Sequence, residues 1–158
     1  MKKLVLAVLL LVGTAAYADT LTFTGSTANG EYGPYSLSLN GAPATPMICF
    51  SDHNWIIGGE SWNVQAFNIT QIAAGALTGT TFGGSTTALT TTDYNELGYL
   101  ASELFANPGN SDLQLAIWSV FGLSPPFTPT AGSAQDLANA AAAVSGGYVT
   151  SDVFYIPV

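Results

Sequence analysis

After Lys3 the sequence contains no lysine and no arginine, and this absence constrains the fold more than any other feature. Ten aspartates and glutamates remain with one histidine, so ion pairs are restricted to His53 and a free amino terminus. Stability must therefore come from apolar burial and hydrogen bonds. The same deficit excludes nucleic acid as a partner, because no cation is left to neutralise phosphate, and it disfavours anionic membrane surfaces.

The two lysines begin a pattern typical of a secretory signal peptide. They precede the apolar run Leu4–Val12, which is too short to span a bilayer as a helix, and positions 16–18 read Ala-Tyr-Ala, a small-x-small cleavage site. We expect residues 1–18 to be the signal peptide and residues 19–158 to form a single secreted domain. The expected location is extracellular or at the cell surface, and no later segment predicts stable membrane insertion.

Five short segments of the first half have the alternation or composition of β-strands. The second of them is followed by Asn40-Gly41, a strong hairpin signal, and in the last Trp62, Val64 and Ala66 are expected on one face. Residues 68–92 are rich in Gly, Thr and Ser and predict no defined element. The five segments are 21–25, 35–39, 46–50, 55–57 and 62–67.

Three segments of the second half carry apolar residues at helical spacing. Asp93 with Glu96 predicts a capping box for the first helix, Ser111 begins the second, and Ser133 is the expected cap of the third. Stop signals follow the three helices at Asn107-Pro108-Gly109, Gly122 and Gly146-Gly147.

Strands, then helices, then a last strand over Tyr148–Ile156 predict an α+β fold. We expect a β-sandwich or barrel-like sheet with a three-helix insertion or subdomain, closed by that C-terminal strand.

Cys49 is the only cysteine, so no internal disulfide exists. In an oxidising compartment a lone cysteine must be buried, paired between chains or chemically committed. A thiolate that attacks the carboxamide of a glutamine expels ammonia and leaves an internal thioester, provided that the groups are held close and dry. Gln114, in the first turn of the second predicted helix, is the candidate acyl group, and Trp118, one turn later, is expected to shield the bond.

Both residues also have a purely structural interpretation. Ser111-Asp112-Leu113-Gln114 matches a capping box, in which Gln114 would only bind a main-chain N–H. Cys49 would then be an ordinary small buried hydrophobe.

The segment Leu113-Gln114-Leu115-Ala116-Ile117-Trp118 resembles the Q-x-A-I-W segment of thioester domains on Gram-positive surface adhesins. The order of motifs from Tyr35 to Gly122 is similar: a hairpin, the cysteine in PMICF, the helix ELGYLASELFAN, then DLQLAIWSVFG. The resemblance implies that Cys49 and Gln114 form the thioester. The residues around the cysteine, ICFSDHNW, depart from the usual pattern of that family.

The order of motifs also resembles the secreted bodies of PEP-CTERM proteins from environmental Gram-negative bacteria. Those bodies often carry G-x-Y-x-L-x-L-N-G, a cysteine segment, A-I-W and a final strand; here YGPYSLSLNGAP, ICFSDHNW, LAIWSVF and VFYIPV follow in that order. The Pro-Glu-Pro sorting tail is missing, and the sequence stops about where it would begin. We therefore expect release or self-assembly rather than anchoring.

Other candidate sites are less specific. His53 with Cys49 supplies too few ligands for zinc, and at this spacing on a strand the two side chains lie too far apart for a catalytic pair. Asp52 and Glu60 have the residue types of a glycosidase pair, but nothing fixes their geometry. Asn110 and Asp112 lack any known calcium-binding spacing. Trp55, Trp62 and Trp118 are expected in the core rather than against a sugar, and no metal or cofactor is expected.

The sequence therefore favours a non-catalytic extracellular surface or matrix protein that captures an amine-bearing surface ligand, as an adhesin does. Its own lack of lysine means that no internal lysine consumes the thioester. The alternative is a structural subunit that assembles with itself into a fibre or coat by pairing terminal strands near Leu21 and Tyr155. A secreted hydrolase is a more distant alternative.

Overall fold

A computed structural model describes residues 18–26, 32–49, 57–74, 89–122 and 126–157. They form five strands and four helices. The strands are β1 (Asp19–Ser26), β2 (Tyr35–Leu39), β3 (Thr45–Met47), β4 (Ser61–Asn68) and β5 (Val153–Pro157). The helices are α1 (Ile69–Ala73), α2 (Thr91–Ala106), α3 (Ser111–Phe121) and α4 (Ala131–Ser145).

The strands form one antiparallel sheet in the order β3-β2-β1-β4-β5, which curls into a half-barrel. All four helices lie between β4 and β5 in sequence, and β5 returns to the sheet beside β4. The predicted α+β class, with a barrel-like sheet, inserted helices and a closing strand, is confirmed. Within the described residues, no helix is long and apolar enough to cross a membrane.

The two faces of the sheet pack differently. Leu21 lies opposite both Leu39 and Trp62, and alternate residues of these strands form one buried cluster on one face of the sheet. This cluster, which we call the sheet cluster, contains Leu21, Tyr35, Leu37 and Val64. On the other face Phe67 and Phe154 pair across β4 and β5 and pack against the helices.

The helices supply most of the second cluster. Leu97, Leu100 and Leu104 of α2 recur at helical spacing and are completely buried, as is Ile117 of α3. Phe154 of β5 packs edge-on to Tyr94, which joins the helices to the sheet. The core therefore forms by apolar burial, as the near absence of cations requires.

Two helices begin earlier than the sequence predicts. The N-cap of α2 is Thr90, not Asp93, and the N-cap of α4 is Thr130, not Ser133. In both, the expected cap residue is the third residue of the helix, where its side chain accepts a hydrogen bond from the true cap's N–H. The capping box is reciprocal, so the sequence pattern identified the wrong member of each pair.

Three other expectations were wrong. The short helix α1 lies where no element was predicted, so the described residues contain four helices rather than three. Cys49 follows β3 rather than lying on it, because β3 is an edge strand that contains Pro46 and ends at Met47. The strand of Leu21 is central in the sheet and already paired on both sides, so it is not available for strand addition.

Several other expectations agree with the structure or fall outside it. The hairpin signal is confirmed: Asn40 and Gly41 have φ of 53° and 75°, and the N–H of Ala42 donates to Leu39 O at 2.9 Å. The stops at Asn107, Gly122 and Gly146 are also confirmed. Most of the signal peptide, Asp52, His53, Trp55 and most of 68–92 lie outside the described residues.

Candidate thioester site

Gln114 is a polar side chain in an apolar place. Helix α3 is buried continuously from Leu113 to Trp118, and Gln114 is 0 % exposed. The helix is fixed at this end by its N-cap, Asn110, whose side-chain oxygen accepts hydrogen bonds from the N–H groups of Asp112 and Leu113. The side chain of Gln114 is therefore buried in the first turn of a helix whose N-terminus is fixed by its cap.

The carboxamide of Gln114 bridges two distant main-chain segments. Its Oε1 accepts a hydrogen bond from the N–H of Gly33 at 3.1 Å, and its Nε2 donates to the carbonyl of Cys49 at 3.0 Å. One partner is only a donor and the other only an acceptor, so the orientation of the amide is fixed by chemistry. Gln114 does not form the predicted capping box with Ser111, because the N-cap is Asn110 and the carboxamide is bonded to Gly33 and Cys49 instead.

Cys49 contacts Gln114 through its main chain. Its carbonyl accepts two hydrogen bonds, from Gln114 Nε2 at 3.0 Å and from Trp118 Nε1 at 3.2 Å. The half-buried Cys49 side chain packs against the sheet cluster. The three residues singled out in the sequence, Cys49, Gln114 and Trp118, are thus brought together across 65 and 69 positions of chain.

Trp118 forms the centre of an aromatic wall beside this contact. It is 4 % exposed, and its ring lies 4.8 Å from that of Phe127 and 6.0 Å from that of Tyr32, measured between centroids. The buried ring therefore lies next to the Cys49–Gln114 contact, where a shield of the predicted thioester would have to lie. The indole N–H adds a function that the sequence does not indicate, because it holds the Cys49 carbonyl in place.

The pattern of the sequence does not reveal Gly33, Tyr32 or Phe127 as parts of the site. The sequence does carry a signal near Tyr32 and Gly33, since Gly33-Pro34 directly before a strand marks a turn. That signal predicts a turn but not its partner, which lies 81 positions further along the chain.

An acidic group lies beside the start of α3. Asp112 accepts a hydrogen bond from the hydroxyl of Thr130 at 2.6 Å, which ties the starts of α3 and α4 together. Partial burial, followed by repulsion from Asp112 and Glu103, raises the pKa of Asp136 above its ordinary range. Among the residues that the structure describes, no group of three or more His, Cys, Asp or Glu is arranged to hold a metal ion.

The other sequence candidates have local roles where they are described. Glu60 accepts a hydrogen bond from the N–H of Ile57 within a turn, and Asn110 serves as the N-cap of α3. Trp62 packs against the sheet cluster. None of these contacts assembles a second site.

Chemically, the arrangement presents a buried carboxamide beside the main-chain carbonyl of the only cysteine. The amide oxygen faces a hydrogen-bond donor and the amide nitrogen faces an acceptor. No protein-family model, curated protein or solved structure matches this chain.

Proposed function

We propose that Cys49 and Gln114 form an internal thioester, through which an extracellular surface or matrix protein captures an amine-bearing ligand covalently. The observation that carries the proposal is the completely buried Gln114 carboxamide, hydrogen-bonded at 3.0 Å to the main chain of the only cysteine. Two residues 65 positions apart are in direct contact through the Cys49 carbonyl, which supports a reaction that requires the two side chains to be held close.

The thioester forms by acyl transfer. The Cys49 thiolate attacks Cδ of Gln114, the Sγ–Cδ bond forms, the Cδ–Nε2 bond breaks, and the nitrogen leaves as ammonia with the proton of the thiol. The Cys49 side chain packs against the sheet cluster, so we propose that rotation about its Cα–Cβ bond, which has three staggered positions, presents the sulfur to Cδ. No oxidant or cofactor is needed.

Capture reverses the roles. A primary amine of the ligand attacks Cδ, a new C–N bond forms, the Cδ–Sγ bond breaks, and the Cys49 thiolate takes the proton released by the amine nitrogen. The ligand is then held by an amide on Gln114. One hydrogen remains on that nitrogen, so it can donate to the Cys49 carbonyl as Nε2 does in the unreacted protein.

The charge of the chain suits a cationic partner. The sequence carries ten acidic residues and a net charge of −8, and its only lysines are at positions 2 and 3. A negative surface attracts protonated amines, which raises their encounter rate with the protein. After signal cleavage, no lysine of the chain itself competes for the acyl group.

Methylamine tests the proposal directly. We expect the purified protein to gain one methylamine in place of the thioester, with the modification on Gln114 and one newly alkylatable thiol at Cys49. Cys49→Ser is the matched control, because its hydroxyl is a far weaker nucleophile and forms no thioester. Tandem mass spectrometry that finds Gln114 unmodified in the wild-type protein under these conditions would contradict the proposal.

One observation favours the alternative of a self-assembling fibre or coat. Strand β5 lies at the edge of the described sheet, and its Val153 is 50 % exposed. If subunits pair through β5, added salt should strengthen assembly, because it screens repulsion between acidic subunits. Light scattering across a salt series tests this, and a monomer at every salt concentration would exclude it.

A further inference from the structure

We infer that the main-chain N–H of Gly33 is the oxyanion donor of this site, both when the thioester forms and when an amine opens it. The inference rests on the proposed thioester and adds the group that stabilises its transition states. Gly33 lies just before β2, far in sequence from both reacting side chains.

The position of the donor matches the position of the charge. When sulfur or nitrogen attacks Cδ, the carbonyl electrons move onto Oε1, and this atom already lies 3.1 Å from the N of Gly33. Both residues are buried, so water does not compete for the oxygen. A fixed donor in a dry site stabilises a developing oxyanion far more than the same donor does in water.

The Gly33 peptide is held from both sides. While its N–H donates to Gln114, its carbonyl accepts a hydrogen bond from the N–H of Gly109 at 3.1 Å. Gly109 immediately precedes Asn110, the N-cap of the helix that carries Gln114. The donor and the acyl group are therefore positioned by the same turn, so the donor needs no reorganisation when the reaction occurs.

The site leaves little room for a side chain at position 33. A Cβ there would lie 3.0 Å from Gln114 Oε1 and 3.1 Å from the Tyr35 ring. An alanine would therefore fit only if the carboxamide oxygen and the Tyr35 ring each moved by a few tenths of an ångström, which would lengthen the hydrogen bond to the N–H. Glycine allows the main chain to approach the oxygen closely enough to donate to it.

The hydrogen-bonding groups around Gln114 match the charges that develop during the reaction. The Gly33 N–H faces the oxygen that gains negative charge, and the Cys49 carbonyl faces the nitrogen that leaves or enters. The nitrogen bears positive charge in the intermediate, so an acceptor beside it is favourable. Two main-chain groups thus orient the Gln114 acyl centre.

Replacing one amide by an ester removes the donor without adding atoms. Cys49 is a natural ligation junction, so residues 19–48 can be made synthetically with an ester between Tyr32 and Gly33 and joined to residues 49–158. In this protein we expect aminolysis by methylamine to slow by about 10²–10³-fold. The thioester carbonyl stretch should move to higher frequency in an infrared difference spectrum, because its hydrogen bond is lost.

Two controls separate the possible failures. The all-amide ligated protein must form the thioester and react; if it does not, the proposed function itself fails. An ester at Ala42 removes a comparable main-chain hydrogen bond, from Ala42 N to Leu39 O at 2.9 Å, in the hairpin turn, and should change neither readout. If the Gly33 ester reacts as fast as the all-amide protein with an unshifted carbonyl band, the inference is wrong.

Gly33→Ala provides a second route that needs no synthesis. The added methyl should displace the carboxamide and slow thioester formation, whereas Gly58→Ala, at a position with open space around it, should not. Melting curves of both variants confirm that they are folded. A folded Gly33→Ala protein that forms and opens its thioester at the wild-type rates would also overturn the inference.

Discussion

At the scale of single residues, Gln114 is the decisive side chain. A buried amide without partners costs about 1–3 kcal/mol, and here both ends of the amide are satisfied by main-chain groups. The same contacts would suit a glutamine that only braces the fold. The two roles differ in one non-hydrogen atom, because the thioester state has lost Nε2 as ammonia.

That difference gives Trp118 a testable role. In the unreacted protein, Gln114 Nε2 and Trp118 Nε1 both donate to the Cys49 carbonyl. Once Nε2 has left, only Trp118 Nε1 of these two donors remains. Trp118→Phe keeps an aromatic ring but removes this donor, so it should disfavour the thioester state by about 1–3 kcal/mol relative to the unreacted state. Intact mass should show a smaller thioester fraction than in the wild type.

Trp62→Phe is the matched control, because Trp62 is half-buried against the sheet cluster instead. Trp118→Ala should also speed hydrolysis of any thioester that forms, since the aromatic wall is then open. An unchanged thioester fraction in folded Trp118→Phe would show that the indole N–H has no part in the site.

At the scale of elements, the start of α3 determines where the acyl group lies. Asn110 caps this helix through two hydrogen bonds, and Gln114 occupies its first turn. A frayed first turn would release the carboxamide from both of its partners. The site therefore depends on a capping interaction in a way that the other helices of the fold do not share.

Asn110→Ala should lower the free energy of unfolding by about 1 kcal/mol and also reduce the thioester fraction. Thr90→Ala removes the equivalent cap of α2 and should destabilise the protein to a similar degree while leaving the thioester fraction unchanged. Chemical denaturation and intact mass, measured on both variants, check the pair. Equal loss of thioester in both would mean that global stability, rather than the local cap, controls the chemistry.

The elements also show what the sequence can and cannot predict. The alternation in Tyr35–Leu39 predicts β2 with its observed bounds, and helical spacing predicts α2 to α4, because both are local patterns. The caps at Thr90 and Thr130 were missed since each capping box has two plausible members. Cys49 and Gln114 were paired from their chemistry and from resemblance to a family, whereas the Gly33 contact depends on a tertiary approach that no local pattern encodes.

At the scale of the whole molecule, the site is assembled from three distant parts of the chain. Gly33 precedes β2, Cys49 follows β3, and Gln114 lies in α3, so the contacts form only when the sheet and helices have packed. Thioester formation is therefore expected after folding. The same folding step brings Asp112, Asp136 and Glu103 near one another, and the sequence after Lys3 has no lysine or arginine to neutralise them.

Asp136 reports on this uncompensated charge. Its pKa is raised above the ordinary 3.8 by partial burial and by Asp112 and Glu103, so the ionised form is disfavoured in the folded state. Protonated Asp136 therefore favours the folded state. This contribution to stability is complete below the ordinary pKa of the carboxyl and is lost as pH rises through its raised pKa. Asp136→Asn should therefore raise the melting temperature at pH 7 and change it little at about pH 3.5. An equal effect at both pH values would rule out the charge as the cause.

The intact mass of the purified mature protein tests the central claim most directly. Measured after denaturation beside Cys49→Ser, the wild-type protein should weigh one ammonia less than its calculated mass, and the variant should have its full calculated mass. A thioester that has hydrolysed leaves glutamate at position 114, which peptide sequencing identifies. Full mass in the wild type, with Gln114 intact and Cys49 alkylatable, would contradict the account.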